Sequence, residues 1–242
     1  MINPKISVAA DSLRSIYNNA DNYPHIVLDN FIDQTVIEDV ALESLNLVSN
    51  LDDNAWRFGT PDEHESQVLK RGIKNMVDMP PYMVQLCRYL NNGTFLEFLR
   101  EMTGIEDLVA DWGLEGGGFH VTYPGGLLNI HHDFNYTDSI ADERMYRKVN
   151  LLIYLNEEWE EDWNGSLELW KSDLSQSFKT IVPKFNRAVL FNIEDAPHGH
   201  PNPLACPEND CRRSLAFYYY SKTPPKNKLY ERAYWKNGTK LL

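Results

Sequence analysis

The sequence predicts a mainly β protein, in which a sandwich or jelly roll of short strands is supported by N-terminal helices. Two observations predict this class. Before about residue 113 apolar residues recur at helical spacing, whereas from Leu114 onward short apolar runs alternate with turns. The 242 residues are 43% hydrophobic and 12% aromatic, which is enough for a substantial core. We expect one domain, with a helical support region at 1–113, a β core at 114–221 and a tail at 222–242.

The first predicted elements are a strand and a helix. The apolar run at residues 25–28 predicts the strand. Asp33 can cap the following helix, in which Ile37, Ala41 and Leu45 recur at four-residue spacing. We expect this helix to support a sheet.

A further helix is predicted where Thr94 and Glu97 form a capping-box pattern. The intervening segment, residues 50–80, is polar, with turn signals at 59–61 and 79–81. We expect this segment to be an irregular rim or loop. The apolar side of the second helix carries Phe95, Phe98, Leu99 and Met102.

The second half of the chain predicts short strands and a packed tail. The tail is rich in lysine but carries Tyr230, Tyr234 and Trp235, so we expect it to pack on the domain or on a partner. The strands are predicted at residues 118–123, 127–133, 149–155, 166–170, 187–191 and 214–220.

Charge and composition exclude several classes of protein. A formal net charge of -12 repels phosphate backbones, so nucleic acid is not the expected partner. The N-terminal residues lack an apolar stretch of signal-peptide length, and no run reaches membrane-spanning length. Three cysteines are too few, and an odd number, for a disulfide framework, which favours a reducing compartment. We expect Cys206 and Cys211 to lie in a loop and not to form a disulfide or bind a metal. We expect a soluble, cytoplasmic protein; its oligomeric state is left open.

The motif with the clearest chemistry is His131-His132-Asp133. Alternate side chains of a strand share a face, so His131 and Asp133 point together and His132 points away. A third ligand would complete a triad of two histidines and one carboxylate, which is typical of non-heme Fe(II) oxygenases. His198 is our choice for that ligand, and His200 is the alternative. An isolated His-x-Asp pair is more often a polar strand end, so the interpretation depends on the rest of the chain.

An arginine and a serine share one face of the last predicted strand. Arg212 and Ser214 have the same parity, whereas Arg213 has the opposite parity and is expected to face solvent. A guanidinium and a hydroxyl that project into a barrel can bind the far carboxylate of a dicarboxylate by charge-assisted hydrogen bonds. The alternative is a surface arginine that precedes a strand.

Several segments of the chain occur in a characteristic order. They are Tyr123-Pro124-Gly125-Gly126, His131-x-Asp133, residues 147–156, Trp163-x-Gly165-x-Leu167-x-Leu169, residues 186–191, His198 and Arg212-x-Ser214. This ordered set resembles the prolyl 4-hydroxylase-like oxygenases that depend on 2-oxoglutarate and Fe(II). The resemblance spans roughly residues 114–221, and residues 24–31 also resemble the N-terminal strand of that family.

The resemblance implies a double-stranded β-helix, a jelly roll or cupin-like barrel, with a helical buttress at its N-terminal side. It implies that His131, Asp133 and His198 hold Fe(II). It further implies that Arg212, assisted by Ser214, binds the far carboxylate of 2-oxoglutarate. The expected reaction converts 2-oxoglutarate and O2 to succinate and CO2 while an unactivated carbon is hydroxylated, and it allows ascorbate as a further cofactor.

Two tyrosines are assigned by the same resemblance. Tyr154 lies where a strand tyrosine hydrogen-bonds the cosubstrate, and Tyr123 matches a tyrosine that lines the cosubstrate pocket. The alternative for both is a packed core aromatic with a satisfied hydroxyl.

The chain departs from its relatives at Leu128, where they often have a tyrosine. That tyrosine's contribution is therefore missing or supplied elsewhere. Asp133 argues against the halogenating relatives, which leave this ligand position free. His200 is expected near the metal or the substrate, and His120 is expected to be structural.

The substrate class stays open between two kinds of hydroxylation. A prolyl residue in a peptide or protein ranks first, because the motifs lie nearest the prolyl hydroxylases. A free amino acid or another small metabolite is the alternative, since substrate loops diverge on a shared fold. A cupin-like jelly roll that binds a metal or ligand without oxidising anything is the alternative from another class, and His-x-Asp with Arg-x-Ser disfavours it.

Overall fold

The computed structural model describes residues 1–50, 66–140, 143–226 and 229–236, and its helices lie mainly in the first half of the chain. The helices are α1 (Pro4–Ser7), α2 (Ala10–Asn18), α3 (Gln34–Asn50), α4 (Pro81–Leu90) and α5 (Gly93–Thr103). Single 3-10 turns lie at Met76–Asp78 and Glu161–Trp163.

The described strands form one curled antiparallel sheet of twelve strands. The long strands β4, β6 and β11 are its centre, in the order β1-β9-β6-β11-β4-β10-β7-β8, and β2 and β12 also pair with β4. The predicted mainly β jelly roll with N-terminal helices is therefore confirmed. The strands are β1 (His25–Leu28), β2 (Gln67–Ile73), β3 (Val109–Ala110), β4 (Gly118–His132), β5 (Tyr136–Ile140), β6 (Glu143–Tyr154), β7 (Leu167–Trp170), β8 (Ser177–Ile181), β9 (Ala188–Asn192), β10 (His198–His200), β11 (Arg212–Ser221) and β12 (Tyr234–Trp235).

The main hydrophobic core lies between this sheet and the helices. Val149, Leu151 and Ile153 alternate along β6 and are fully buried in the core that also contains apolar residues of α3, α4 and α5. The apolar residues at every second position of β6 thus pack against the apolar sides of the helices. The opposite face of the sheet is left to line a cavity.

Both expected helices are present, with corrections to their details. The helix predicted after Asp33 is α3, although Leu45 at 46% exposure lies off its buried side. The cap of α5 is Asn92, whose side chain accepts a hydrogen bond from the Phe95 amide at 3.0 Å, and not Thr94. Asn92 takes this role because Gly93 already has helical geometry, which places Thr94 inside the first turn.

The segment predicted as an irregular rim contains a strand. β2 runs from Gln67 to Ile73 and pairs with β4, so this part of the prediction is wrong. The strand lacks the usual apolar alternation because Lys70 faces a cavity and not solvent. The turn predicted at residues 59–61 lies outside the described residues.

Two predicted strands, 118–123 and 127–133, are one strand, β4. Its register against β2 shifts between Leu127 and Thr122, where residues 123–126 stand opposite Leu69. The Pro-Gly-Gly sequence therefore produces a bulge in a continuous strand and no chain reversal. Gly118 at the start of β4 has φ +91°, and a Cβ there would lie 2.3 Å from the Ile73 carbonyl oxygen, so only glycine fits.

All ten residues of β11 are buried, which corrects the prediction for Arg213. At Arg213 this face of β11 lies against α3. The Arg213 Nη1 atom donates to the Ser44 hydroxyl at 2.9 Å and to the Ala41 carbonyl at 3.3 Å. Arg213 therefore connects sheet and helix and does not face solvent.

The described part of the tail packs on the domain. β12 pairs with the end of β4, placing Trp235 opposite His131 with 1% of its surface exposed. The three cysteines are free thiols. Within the described ranges, no helix combines the length and apolar character needed to cross a membrane.

Candidate active site

Three predicted metal ligands meet at the end of β4. His131 lies in β4, Asp133 follows it directly, and His198 opens β10, where it is paired in register with His131. The Nε2 atoms of His131 and His198 lie 3.4 and 3.5 Å from the carboxylate oxygens of Asp133. One potential ligand atom from each of the three residues lies within 4.8 Å of the others. The alternation of side chains along the chain places His131 and Asp133 on one side, and the pairing of β10 with β4 adds His198.

The backbone fixes the orientation of both imidazole rings. The Nδ1 atom of His131 lies 2.8 Å from the Asn129 carbonyl oxygen, and that of His198 lies 3.0 Å from the Ala196 carbonyl oxygen. A carbonyl accepts only from a protonated Nδ1, so each Nε2 is left as a lone-pair donor for a metal.

The Asp133 carboxylate is held ionised by a buried network. Arg147 Nη2 and Asn150 Nδ2 each donate to Oδ2 of Asp133 at 2.8 Å, and Arg147 Nε donates to Asn150 Oδ1 at 2.8 Å. Burial by itself would raise the pKa of Asp133, but the Arg147 charge and the neighbouring histidines hold it well below its usual range. Oδ1 faces Nε2 of His131, and Oδ2 faces Nε2 of His198.

The donor set fits a divalent iron ion. Burial lowers the pKa of His198 to about 4, against the opposing effect of Asp133, so this imidazole is neutral near pH 7. Two neutral imidazoles and one ionised carboxylate are the donors of the facial triad found in non-heme Fe(II) oxygenases. His131, Asp133 and His198 would hold the ion.

The triad lines a cavity of about 650 Å³. Leu128, Leu152 and Leu167 contribute apolar wall. A group that we call the basic end also lines this cavity; its members are Lys70, His120, His200 and Arg212. All four side chains are at least nine-tenths buried.

Arg212 and Ser214 line the cavity, as their shared parity predicts. Arg212 is 5% exposed, and its Nε donates to the Gly165 carbonyl at 2.8 Å. This bond holds the guanidinium in place at the cavity. Ser214 lies two residues after Arg212 on β11. It is in register with His120 of β4 on one side and with Tyr154 of β6 on the other.

The two tyrosines differ in their positions. The guanidinium of Arg212 lies 4.9 Å from the ring centroid of Tyr154, whose hydroxyl is buried, and burial raises the pKa of that hydroxyl. Tyr154 thus contacts Arg212 and not the cavity lining. Tyr123 lies on the opposite face of β4 from His120, packs against the main core and has Arg71 over its ring at 5.8 Å. The structure does not bring Tyr123 to the cavity, because its parity is wrong for that face.

The remaining histidines occupy distinct environments. His132 points away from the triad and stacks on Tyr230, with ring centroids 5.4 Å apart. His120, expected to be structural, lines the cavity. His200, the alternative ligand, lies in the basic end instead of the triad.

Four residues of the site are not identified as such by the sequence patterns: Arg147, Asn150, Lys70 and Trp235. Arg147 and Asn150 were visible only as polar residues in an apolar strand. A buried arginine there is unusual enough to indicate a buried carboxylate partner. No pattern in the sequence assigns Lys70 or Trp235 to the cavity, because both enter it from elements whose pairing depends on tertiary structure.

Known proteins resemble this chain in sequence and in fold. Residues 117–220 match the sequence model described as the 2OG-Fe(II) oxygenase superfamily. A curated relative, Prolyl 3-hydroxylase OGFOD1 of Mus musculus, is 26% identical over an alignment of 94 residues, with coverage of 36% of this chain and 17% of that protein. The chain thus spans less than a fifth of the length of this relative.

Solved structures share the fold at low sequence identity. A Trichoplax adhaerens prolyl hydroxylase in complex with a hypoxia inducible factor peptide fragment has a TM-score of 0.62 at 16% identity, covering 90% of this chain and 91% of that chain. A Pseudomonas putida prolyl-4-hydroxylase has a TM-score of 0.57 at 17% identity, covering 90% and 100%. HygX from Streptomyces hygroscopicus, with nickel, 2-oxoglutarate and hygromycin B bound, has a TM-score of 0.53 at 14% identity, covering 86% and 87%.

The His-Asp-His site has the donor set of the facial triad found in non-heme Fe(II) oxygenases, and it lies in a jelly roll. Residues 117–220 are similar to the 2OG-Fe(II) oxygenase superfamily, and the fold is similar to those of solved prolyl hydroxylases.

Proposed function

We propose that this protein is a 2-oxoglutarate- and Fe(II)-dependent dioxygenase that hydroxylates a prolyl residue in a peptide or protein. The observation that carries the proposal is the joint lining of one cavity by the His131, Asp133 and His198 triad and by Arg212. A metal site alone would also suit a binding protein. A buried arginine in the same cavity adds the recognition of a carboxylate-bearing cosubstrate.

The chain's own residues bind and orient the reactants. His131, Asp133 and His198 would hold Fe(II), which activates O2 and couples the decarboxylation of 2-oxoglutarate to oxygen insertion into a C–H bond. Arg212, fixed by Gly165, holds the far carboxylate, and Ser214 adds a hydroxyl beside it. The leucine-lined wall limits water near the reaction. The described tail residues Glu231, Arg232 and Ala233 line another part of the cavity, where substrate can contact them.

A prolyl substrate is supported by the relatives that the chain resembles. The mouse relative carries the name of a prolyl 3-hydroxylase, and the Trichoplax and Pseudomonas structures are those of prolyl hydroxylases. A small-molecule substrate is the second candidate, because HygX shares the fold and holds hygromycin B.

The proposal is tested by mass spectrometry of peptide and metabolite libraries incubated with the protein, Fe(II), 2-oxoglutarate and O2. We expect a gain of one oxygen atom on a proline-containing peptide and its loss with Asp133→Ala. The matched control is His132→Gln, which alters the adjacent side chain on the other face and is expected to retain turnover. Oxygen gain on a metabolite alone would replace the prolyl assignment with the second candidate. Metal binding without oxidation of any library member would support the cupin-like alternative.

We also propose a cytoplasmic location, which three free thiols support because reducing compartments preserve them. Fractionation of cells that express the tagged chain tests this. Recovery in a membrane or secreted fraction would contradict it.

A further inference from the structure

Arg212 contacts a turn at residues 159–165, none of which lines the cavity. The Nε atom of Arg212 donates to the Gly165 carbonyl at 2.8 Å. A Cβ atom at Gly165 would lie 2.6 Å from Cδ2 of Leu204. It would also lie 3.1 Å from Cζ2 of Trp159 and 3.2 Å from Cδ of Arg212. The backbone of the turn is therefore in close contact both with the arginine and with an indole ring.

Two consecutive residues of this turn have positive φ. Asn164 has φ 62° and ψ -149°, at the edge of a region that essentially only glycine occupies, and Gly165 follows with φ +72°. An asparagine in this conformation is strained, and such strain persists only where the surrounding contacts enforce it. Strained backbone is concentrated at functional sites, so the conformation of Asn164 indicates a function for the turn.

Hydrogen bonds and ring packing hold the turn in this conformation. The indole Nε1 of Trp159 donates to the Asn164 carbonyl at 2.9 Å, and Nδ2 of Asn164 donates to the Pro203 carbonyl at 2.8 Å. The Ala205 amide donates to the Trp163 carbonyl at 2.9 Å. Trp159 and Trp163 pack edge to face, with ring centroids 5.5 Å apart. These contacts stabilise the turn without any contribution from the arginine.

A rigid turn can hold the arginine side chain in one orientation. A mobile arginine loses rotamer freedom when it binds a ligand, and this loss opposes binding. The bond from Nε of Arg212 to the fixed Gly165 carbonyl removes that freedom before the ligand arrives. The benefit depends on accurate placement, because a displacement of about 1 Å can cost roughly 100-fold in function.

We propose that Gly165 and Trp159 are positioning residues for 2-oxoglutarate, because the strained turn that they form fixes the guanidinium of Arg212 for the far carboxylate. The inference rests on the proposed function. It assigns a role to the glycine of the Trp163-x-Gly165 motif and to Trp159, which lies four residues before that motif. Neither positioning residue lines the cavity, so both act through Arg212.

The test compares two keto acids by isothermal titration calorimetry with Mn²⁺-loaded protein. 2-Oxopentanoate has the chain length of 2-oxoglutarate but a methyl group in place of the far carboxylate. Gly165→Ala adds a Cβ atom that collides with Arg212 and the other neighbours of the turn. Gly125→Ala is the matched control, because Gly125 has φ +79° but its Cβ atom would lie 3.6 Å from the nearest atom, Cδ1 of Leu69. The control therefore introduces similar backbone strain without the collision.

We expect Gly165→Ala to weaken 2-oxoglutarate binding roughly 10- to 100-fold and to leave the binding of 2-oxopentanoate and of Mn²⁺ within about twofold. Gly125→Ala should bind all three ligands as the wild type does. Trp159→Phe keeps an aromatic ring but removes the indole N–H, and should weaken 2-oxoglutarate binding by about three- to tenfold, the value of one hydrogen bond. Trp163→Phe, which alters the other indole of the pair, should bind 2-oxoglutarate as the wild type does.

Wild-type affinity for 2-oxoglutarate in both Gly165→Ala and Trp159→Phe would overturn the inference and leave the proposed function standing. An equal loss in Gly125→Ala, or an equal loss of 2-oxopentanoate, would show general damage and would also overturn it. If the wild type does not prefer 2-oxoglutarate to 2-oxopentanoate, the proposed cosubstrate site fails, and the inference fails with it. Thermal melting shows whether Gly165→Ala is folded; where it is not, the comparison of Trp159→Phe with Trp163→Phe decides.

Discussion

The carboxylate of Asp133 depends on its neighbour Arg147. Arg147 is fully buried, and its guanidinium lies 3.2 Å from the ring centroid of Tyr218, so it has little freedom to move. Arg147→Gln should weaken Mn²⁺ binding by the metal-free protein by about 10- to 100-fold, because an uncompensated buried carboxylate loses both its orientation and its ionised state. Calorimetric titration of the folded protein measures the change.

The control for this prediction lies three residues earlier on the same strand. Arg144 pairs with Asp138 at 2.8 Å, but both side chains are largely exposed, at 47% and 59%. Arg144→Gln should leave Mn²⁺ affinity unchanged, since exposed ion pairs contribute little. Equal affinities for the two variants would show that Arg147 does not position the ligand.

Adjacent arginines on β11 should have separable roles. Arg212 faces the cavity, and Arg213 donates to Ser44 and Ala41 of α3. Arg212→Gln should lose 2-oxoglutarate affinity with little change in unfolding free energy. Arg213→Gln should cost roughly 1 to 3 kcal/mol of stability through its lost buried hydrogen bonds and retain the affinity. Urea unfolding measures the stability of both variants, and calorimetry measures their affinity for 2-oxoglutarate. Lost stability in Arg212→Gln with lost affinity in Arg213→Gln would contradict the assignment of the two faces.

Strand parity made much of the site predictable from the sequence. It placed His131 with Asp133, and Arg212 with Ser214, before any tertiary information. It could not reveal what covers the other face, which is why Arg213 was assigned to solvent although α3 lies over it. Strand parity also does not say which histidine of β10 lies beside His131, because His198 and His200 are two residues apart and share a face. The pairing of β10 with β4 decides for His198.

At the level of elements, β12 covers the metal site. Trp235 packs on His131 with ring centroids 4.7 Å apart, and the Lys236 amide donates to the Ile130 carbonyl at 2.9 Å. If the surrounding packing stays rigid, Trp235→Ala should lower the free energy of unfolding by about 3 to 5 kcal/mol. If it does not, β12 should detach from β4. Either outcome leaves His131 less constrained and weakens Mn²⁺ binding.

Limited proteolysis and metal titration check this prediction about β12. Trp112→Ala is the matched control, because Trp112 is 57% exposed and its loss should change neither measurement. A Trp235→Ala protein with wild-type metal affinity and wild-type protease resistance would show that β12 is dispensable to the site.

The elements differ in how well their sequences predict them. β6 and β11 carry long apolar runs that predict buried strands. β2 has the sequence Gln-Val-Leu-Lys-Arg-Gly-Ile, whose polar residues face a cavity and the opposite face, so its pattern is that of a loop. Elements that line a polar cavity violate the rule that polar side chains face solvent, and sequence patterns miss them for that reason.

For the whole molecule, buried histidines predict that the metal-free protein loses stability in acid. Burial is the first cause of a lowered pKa at His25, His120, His132, His198 and His200. Below about pH 6.5 the unfolded chain binds protons that the folded chain does not, so the unfolding free energy falls with pH. With a pKa of about 4, His198 alone contributes a loss of roughly 3 kcal/mol between pH 7 and pH 4.

Urea unfolding at several pH values checks this dependence. Asp111, whose pKa is raised by burial, acts in the opposite direction but is one group against five. His198→Leu should show a shallower decline between pH 6.5 and 4 than the wild type. An unfolding free energy that stays constant or rises as the pH falls from 7 to 5 would contradict the buried neutral state of these histidines.

Oxygen-isotope labelling tests whether the triad and the basic end serve one reaction. Wild-type protein with Fe(II), 2-oxoglutarate and a turned-over substrate is incubated under ¹⁸O2, and the products are weighed by mass spectrometry. We expect one ¹⁸O atom in succinate and one in the hydroxylated product, and no labelled product with Asp133→Ala. Substrate oxidation that proceeds without forming labelled succinate, or that survives Asp133→Ala, would contradict it.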